Sequence, residues 1–215
     1  MNYIVIDKKF ERPRTVAIGR PREFDFENAL DRALLVFWRN GYEGASIADL
    51  TDAMGINPPS LYAAFGNKEG LFRKVVDRYI ERYAGFWDVA RAAPTARAMV
   101  EHLLRASVDF VTDESNPRGC LMVRGAMACS EAANKIRDEL VTRRATGEAM
   151  LRERFERAVS TGEMPPELNP ADYARYIMTV LEGLSVQAAG GASREDLRKV
   201  ADITLRTWPA ASAST

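Results

Sequence analysis

Between Ile47 and Phe65 the apolar positions fall into two short helical rhythms separated by a glycine. Ile47, Leu50 and Met54 sit at i, i+3 and i+7, which makes one apolar stripe on a helix of about two turns. Ser46 precedes that stripe and Asp49 follows three residues later, so hydroxyl and carboxylate can each satisfy a backbone N–H that the first turn leaves unpaired. Gly55 supplies the conformational freedom to leave the helix and reverse direction. The chain restarts with Asn57 as N-cap, Pro58 at the first helical position and Leu61 with Phe65 as an i, i+4 apolar pair. The other face of this segment carries Pro59, Ser60, Tyr62, Ala63 and Ala64, with no long charged side chain to obstruct close approach to a groove wall. The pattern predicts a helix-turn-helix whose recognition helix spans Pro58 to Phe65. A helical hairpin inside a core has the same periodicity, so pattern alone leaves both open.

The flanking segments supply what two short helices need for support. Phe26, Leu30, Ala33 and Phe37, flanked by Leu34 and Trp38, predict a helix from about Phe26 to Asn40 that ends at Gly41. From Asn67 a longer pattern runs through Leu71, Val75, Tyr79 and Tyr83 towards Trp87 and reads as a connecting rod. Further helices are expected over about Thr95 to Thr112, from near Cys120, over about Asn134 to Thr161, from Asn169-Pro170, and from Ser193 to Trp208. The fold expected is all-α: a three-helix DNA-binding unit with a helix-turn-helix, then a helical ligand-binding and dimerisation domain, about nine helices in total. The divisions expected are a flexible extension over 1–18, a DNA-binding domain over 19–84, a second domain over 85–208 and a disordered tail over 209–215.

Composition changes this picture only in part. The chain has 215 residues, 47% of them hydrophobic and 28% charged, enough for a sizeable core. Thirty basic residues balance thirty acidic ones, so bulk charge does not argue for nucleic acid, and any phosphate contacts must be gathered on one face. No apolar run approaches the ~20 residues of a membrane helix, and the first residues lack an apolar signal core, which points to the cytoplasm. Cys120 and Cys129 are nine positions apart, on opposite faces of a helix, and with the lone His102 they fall short of a zinc site. No metal or cofactor is expected, and the absence of a phosphate loop, a His-Glu metal helix and a nucleophile elbow argues against an enzyme. His102, off the apolar stripe of its helix, reads as a surface residue. The Gly19-Arg20-Pro21-Arg22 run suits either a minor-groove arm or a solvated basic linker.

Residues 19 to about 84 resemble the N-terminal domain of the TetR/AcrR family of one-component transcriptional regulators. The resemblance is carried by Gly41-Tyr42, Ser46-Ile47, Gly55-Ile56, Ser60-Leu61-Tyr62 and the run from Phe65 through Gly66-Asn67-Lys68-Glu69-Gly70 to Leu71, in order and correctly spaced. It implies that Ser46, Tyr62 and Lys68 grip DNA phosphates, with packing against Phe65 or the rod as the other reading of Tyr62. It implies that Asn57, Pro58, Pro59, Ser60 and Ala63 face base edges. Ala64 departs from the family's usual aromatic or histidine. The resemblance further implies a homodimer through the last two helices, for which Tyr173, Ile177, Val180, Leu184, Leu197, Ala201, Leu205 and Trp208 are candidates, although such stripes also serve as intrachain core. It implies a small-molecule pocket, with Met99, Leu103, Phe110, Cys120, Met122, Met127, Met150 and Tyr176 as candidates, although apolar positions at helical spacing are core by default. The function implied is a homodimeric repressor released from a palindromic, double-stranded DNA operator by a small-molecule effector. Alternatives are a redox-sensing regulator that uses Cys120, or a helical ligand-binding protein or enzyme with a structural helix-turn-helix.

Overall fold

The computed structural model describes residues 26–83, 85–127 and 133–209, and side chains at 126 and 127 lie outside the description. The 1–18 extension, Arg20 and Arg22, Cys129 and all but Pro209 of the expected tail therefore fall outside the described residues. The described residues form ten helices: α1 (Phe26–Gly44), α2 (Ile47–Met54), α3 (Pro58–Phe65), α4 (Lys68–Tyr83), α5 (Gly85–Arg91), α6 (Ala96–Val111), α7 (Leu121–Met127), α8 (Asn134–Ser160), α9 (Pro170–Ala189) and α10 (Arg194–Arg206). The rod expected from Asn67 towards Trp87 is described as α4 to Tyr83 and α5 from Gly85, with residue 84 outside the described residues. α1 is interrupted at Gly41, which has φ 73° and ψ 177°, one residue beyond the predicted end of the helix.

Local chemistry explains the helix starts. Thr95, Asn169 and Ser193 each turn a side-chain oxygen back onto the first-turn N–H groups of α6, α9 and α10. Packing then decides the tertiary arrangement. One core joins α1 to α4 around Phe37, Trp38, Leu50, Leu61, Leu71, Phe72 and Val75, and it is completed from outside those helices by Leu121, Ile136 and Leu140. The other core joins α6, α8, α9 and α10 around Met99, Leu103, Leu104, Leu151, Phe155, Ile177, Leu184 and Leu197. Each large side chain removed from water in this way contributes about 1.5–3 kcal/mol.

The two cores are stitched together by the segment between α6 and α7. Trp38 is fully buried and its Nε1–H donates to the Gly119 carbonyl at 3.2 Å. Arg124 donates to the Trp38 and Arg39 carbonyls at 3.1 and 2.9 Å. On the opposite side, the Cys120 N–H donates to Ser185 Oγ of α9 at 2.8 Å. Residues between Gly119 and Arg124 thus hold the later part of α1 to the C-terminal part of α9. α4 and α8 are joined independently by Arg73–Glu139 at 2.7 Å and Arg143–Asp77 at 2.8 Å.

The candidate interface stripe needs correction. Ile177, Leu184, Leu197, Ala201 and Leu205 are buried in the chain's own core, so they are not available to a partner. Tyr173, Val180 and Trp208 are partly buried against the same core. An apolar stripe at helical spacing reports that a face is covered, and here the cover is α6 and α8. The apolar side chains left exposed on the last two helices are Tyr176 and Val186 of α9 and Val200 and Ile203 of α10.

Candidate nucleic-acid interface and adjoining cavity

α2 and α3 are held at defined ends. The Ser46 hydroxyl accepts from the Asp49 N–H at 3.0 Å, and the Asp49 carboxylate accepts from the Ser46 N–H at 3.0 Å and from its hydroxyl at 2.6 Å. The Ser46 hydroxyl bond, followed by the backbone bond, pulls the Asp49 carboxyl below its ordinary value. Gly55 takes the left-handed conformation, φ 69° and ψ 34°, that ends α2 and turns the chain. Asn57 Oδ1 accepts from the Ser60 N–H at 2.9 Å and opens α3. Leu61 and Phe65 point inward, and Phe65 stacks on Phe26 with ring centroids 5.1 Å apart.

The outer face of α3 is open. Pro58, Pro59, Ser60, Tyr62, Ala63 and Ala64 are all exposed, and Tyr62 is 47% accessible. Lys68 opens α4 beside this face. Its ammonium lies 3.4 Å from the Glu43 carbonyl oxygen and 4.7 Å from the centre of the Tyr42 ring, which places the start of α4 against the end of α1. Burial lowers the Lys68 ammonium from its ordinary value, while Glu43 acts the other way. The angle of α3 depends on a close approach at Gly70, where a Cβ would stand 2.1 Å from the Phe65 carbonyl oxygen. The arginines of α4 serve mainly as braces, Arg78 bound to Glu27 and Asp31, Arg82 to Asp31 and Arg73 to Glu69 and Glu139.

A cavity of about 540 Å³ lies behind this unit, bounded by residues of α4 to α9. Its aromatic lining is Tyr79, Tyr83, Phe86, Trp87 and Phe110, joined by Met122, Met150, Met178 and Leu181. The Tyr79 hydroxyl donates to Cys120 Sγ at 3.2 Å, and the Tyr83 hydroxyl donates to Asn116 at 2.8 Å. Burial pushes the Tyr79 hydroxyl well above its ordinary value, so it remains a proton donor. Arg144 Nη1 pairs with Glu182 at 3.2 Å, and Ser107 and Ser185 supply hydroxyls.

Residues 29–75 match the family described as bacterial regulatory proteins, tetR family, and residues 95–203 match the tetracyclin repressor-like C-terminal domain. The chain belongs to the TetR family. It is 37% identical over 193 residues to the HTH-type transcriptional repressor ComR of Escherichia coli strain K12, covering 89% of this chain and 92% of that protein. It is 32% identical over 183 residues to the repressor BdcR of the same strain, covering 83% of this chain and 86% of that one. In structure it resembles a cysteine-substituted CifR, a TetR family transcriptional regulator, in complex with a 26-bp double-strand operator DNA; identity is 45%, the TM-score 0.83, and coverage 88% of this chain and 100% of that one.

The fold brings some of the TetR-type candidates together and separates others. Ser46, the exposed residues of α3 and Lys68 occupy neighbouring helix starts and one exposed helix face. In this state, though, the Ser46 hydroxyl is engaged by Asp49 and Lys68 by Glu43 and Tyr42. Phe110, Cys120, Met122 and Met150 line the cavity as expected. Met99 and Leu103 do not, being at most 1% exposed in the packed core, and Tyr176 is on the outer surface of α9. The Met127 side chain lies outside the description. His102 is not simply a surface residue, because its Nε2 is buried without a hydrogen-bond partner among the described residues. Sequence reasoning missed Tyr79, Tyr83 and Trp87 as cavity residues, although their i, i+4 spacing along the supposed rod was the available signal. Arg144 and Glu182 were not among the pocket candidates, and nothing local to either residue separates a cavity wall from a solvated face.

Proposed function

We propose that this chain is a homodimeric transcriptional repressor that binds double-stranded operator DNA and is released by a small-molecule effector held in the cavity. The observation that carries the reading is the capped, firmly braced helix-turn-helix with an unobstructed α3 face, in a chain resembling a curated repressor along nearly its whole length. In this reading residues 26–83 contain the DNA-binding unit, and Asn57, Pro58, Pro59, Ser60 and Ala63 face base edges. Tyr62, Lys68 and Ser46 approach phosphates, the last after its hydroxyl turns from Asp49. Apolar contacts and groove shape then carry much of the specificity, since α3 offers few hydrogen-bonding groups. Dimerisation uses the exposed Tyr176, Val186, Val200 and Ile203, because two recognition helices must meet major grooves about one DNA turn, ~34 Å, apart.

Selection of bound fragments from random DNA, followed by gel-shift titration, tests the reading. A palindromic site is expected, with Tyr62→Ala weakening binding about tenfold and Lys68→Ala lowering the salt slope by about one. Failure to select any salt-sensitive specific complex would sink it. Cys120 supports a second reading, a thiol-based switch, because this free cysteine lines the same cavity and receives the Tyr79 hydroxyl bond. An oxidant that releases DNA from the parent chain and equally from Cys120→Ser removes that reading.

A further inference from the structure

The charged residues that line the cavity are either solvent-exposed or already engaged. Glu81, Asp88 and Arg91 are exposed, Arg143 is committed to Asp77 and Glu139, and Arg144 is paired with Glu182. The buried polar residues of the lining are neutral: Tyr79, whose hydroxyl binds Cys120 Sγ, and Ser107 and Ser185. An ionised ligand would lose hydration here with no unpaired charge among the enclosed lining residues to replace it. The rings form a continuous run, with Tyr83 and Phe110 centroids 5.2 Å apart, Phe86 and Phe110 6.2 Å apart and Phe86 and Trp87 5.7 Å apart. Trp87 ends that run against α8. A Cβ at Gly147 would stand 3.1 Å from Trp87 Cη2, 3.3 Å from its Cζ2 and 3.6 Å from Met178 Sδ, and Gly147, Trp87 and Met178 all line the cavity. Gly147 lies within the 27-residue α8 without a positive φ, so its backbone conformation does not call for glycine. Glycine is also, after proline, the poorest helix former. What calls for glycine at 147 is the space taken by the indole.

We propose that the cavity takes an uncharged aromatic molecule laid along these rings, and that Gly147, by seating Trp87 against bare α8 backbone, sets how long a ligand enters. This proposal rests on the cavity being the effector site. A side chain at 147 would start towards Trp87 and Met178, so it must either enter the cavity or push the indole off its seat. The first takes up volume and the second removes ring surface. Both penalise a ligand that reaches Trp87 more than a short one held by Tyr83, Phe86 and Phe110, since affinity here comes from buried area and stacking.

The test uses the full chain without DNA and three probes: N-phenyl-1-naphthylamine, its sulfonated counterpart 8-anilinonaphthalene-1-sulfonate, and the shorter 1-naphthylamine. By calorimetry, the sulfonate binds about tenfold more weakly than the uncharged amine of the same ring skeleton. Gly147→Leu weakens N-phenyl-1-naphthylamine about tenfold while leaving 1-naphthylamine within about threefold, a split that general loss of folding does not produce. On the parent chain, the Trp87 indole N–H resonance, assigned as the one missing from Trp87→Phe, moves when N-phenyl-1-naphthylamine is added. That of Trp208, packed on Phe155 and Tyr173 outside the lining, does not. A sulfonate that binds as tightly as the amine, a Gly147→Leu chain that treats both amines alike, an unmoved Trp87 resonance, or no binding by any probe overturns the inference. Binding with the expected split that leaves a selected operator complex intact instead overturns effector release while the ligand class stands.

Discussion

Replacing Gly70 by alanine tests how the orientation of α3 is maintained. A Cβ at this position would stand 2.1 Å from the Phe65 carbonyl oxygen and 3.6 Å from Asn67 Oδ1. The nearest atom is backbone, so no side-chain rotation relieves the overlap, and the end of α3 must part from α4 by roughly 1 Å. Two bonds hold that junction, Asn67 N–H to the Phe65 carbonyl at 2.9 Å and Gly70 N–H to Asn67 Oδ1 at 2.7 Å. Overpacking against backbone costs about 1–3 kcal/mol and a weakened cap about 1 kcal/mol, against a gain of about 1 kcal/mol in helix propensity. The expected net destabilisation is about 2 kcal/mol, or a urea midpoint lower by about 1 M for a slope near 2 kcal/mol/M. Gly44→Ala is the matched control, because its Cβ would meet only Asn40 Cβ at an ordinary 3.5 Å. Both variants are unfolded at the same protein concentration, since dimerisation shifts apparent stability. A Gly70→Ala midpoint equal to or above that of Gly44→Ala would refute the close-approach argument.

Three further outcomes are expected. Arg154 is nearly buried and binds Glu163 at 2.7 Å, while Glu163 also accepts from the Ala96 N–H, so Arg154→Met strands a half-buried carboxylate; thermal unfolding should show a loss of about 2–3 kcal/mol, and an unchanged midpoint contradicts it. Asp31 is held below its ordinary carboxyl value, chiefly by its hydrogen bond from Arg78, so its contribution is present above about pH 4 and disappears as pH falls through the lowered folded value. Asp31→Asn should therefore flatten the acid limb of a pH–stability curve, and parallel limbs for parent and variant disprove the assignment. Trp38→Phe removes the bond to the Gly119 carbonyl and should cost about 1–2 kcal/mol while accelerating amide exchange between Gly119 and Arg124; exchange unchanged there means that segment is held by Arg124 and Ser185 alone.

What the sequence made legible was local chemistry. Ser46 with Asp49, Gly55, and Asn57 with Pro58 predict the ends of α2 and α3 because a cap is a contact between residues two or three apart. The same holds for Asn169 and Ser193 at α9 and α10. Legibility failed wherever an apolar face had to be assigned its cover. Met99 and Phe110 lie on one stripe of α6, yet Met99 is packed in the core and Phe110 walls a cavity, a difference created by α5 and α7. Ile177 and Tyr176 are adjacent, yet the first points into the chain and the second out of it, and the one-residue distinction depends on where α6 and α8 lie. Arg144 shows the same limit for charge, since its pairing with Glu182 exists only because α8 packs against α9.

The completion of the first core by Leu121, Ile136 and Leu140 bears on how chains of this kind can be recombined. A fragment cut after Tyr83 would leave the apolar faces covered by those three residues open to water, and Trp38 without the Gly119 carbonyl. A chimera that borrows another protein's effector half must therefore carry over the native α7 and the first turns of α8, or reproduce their side chains. The seam for transplantation then falls within α8, beyond Leu140, well downstream of the point where the recognition unit ends in the sequence.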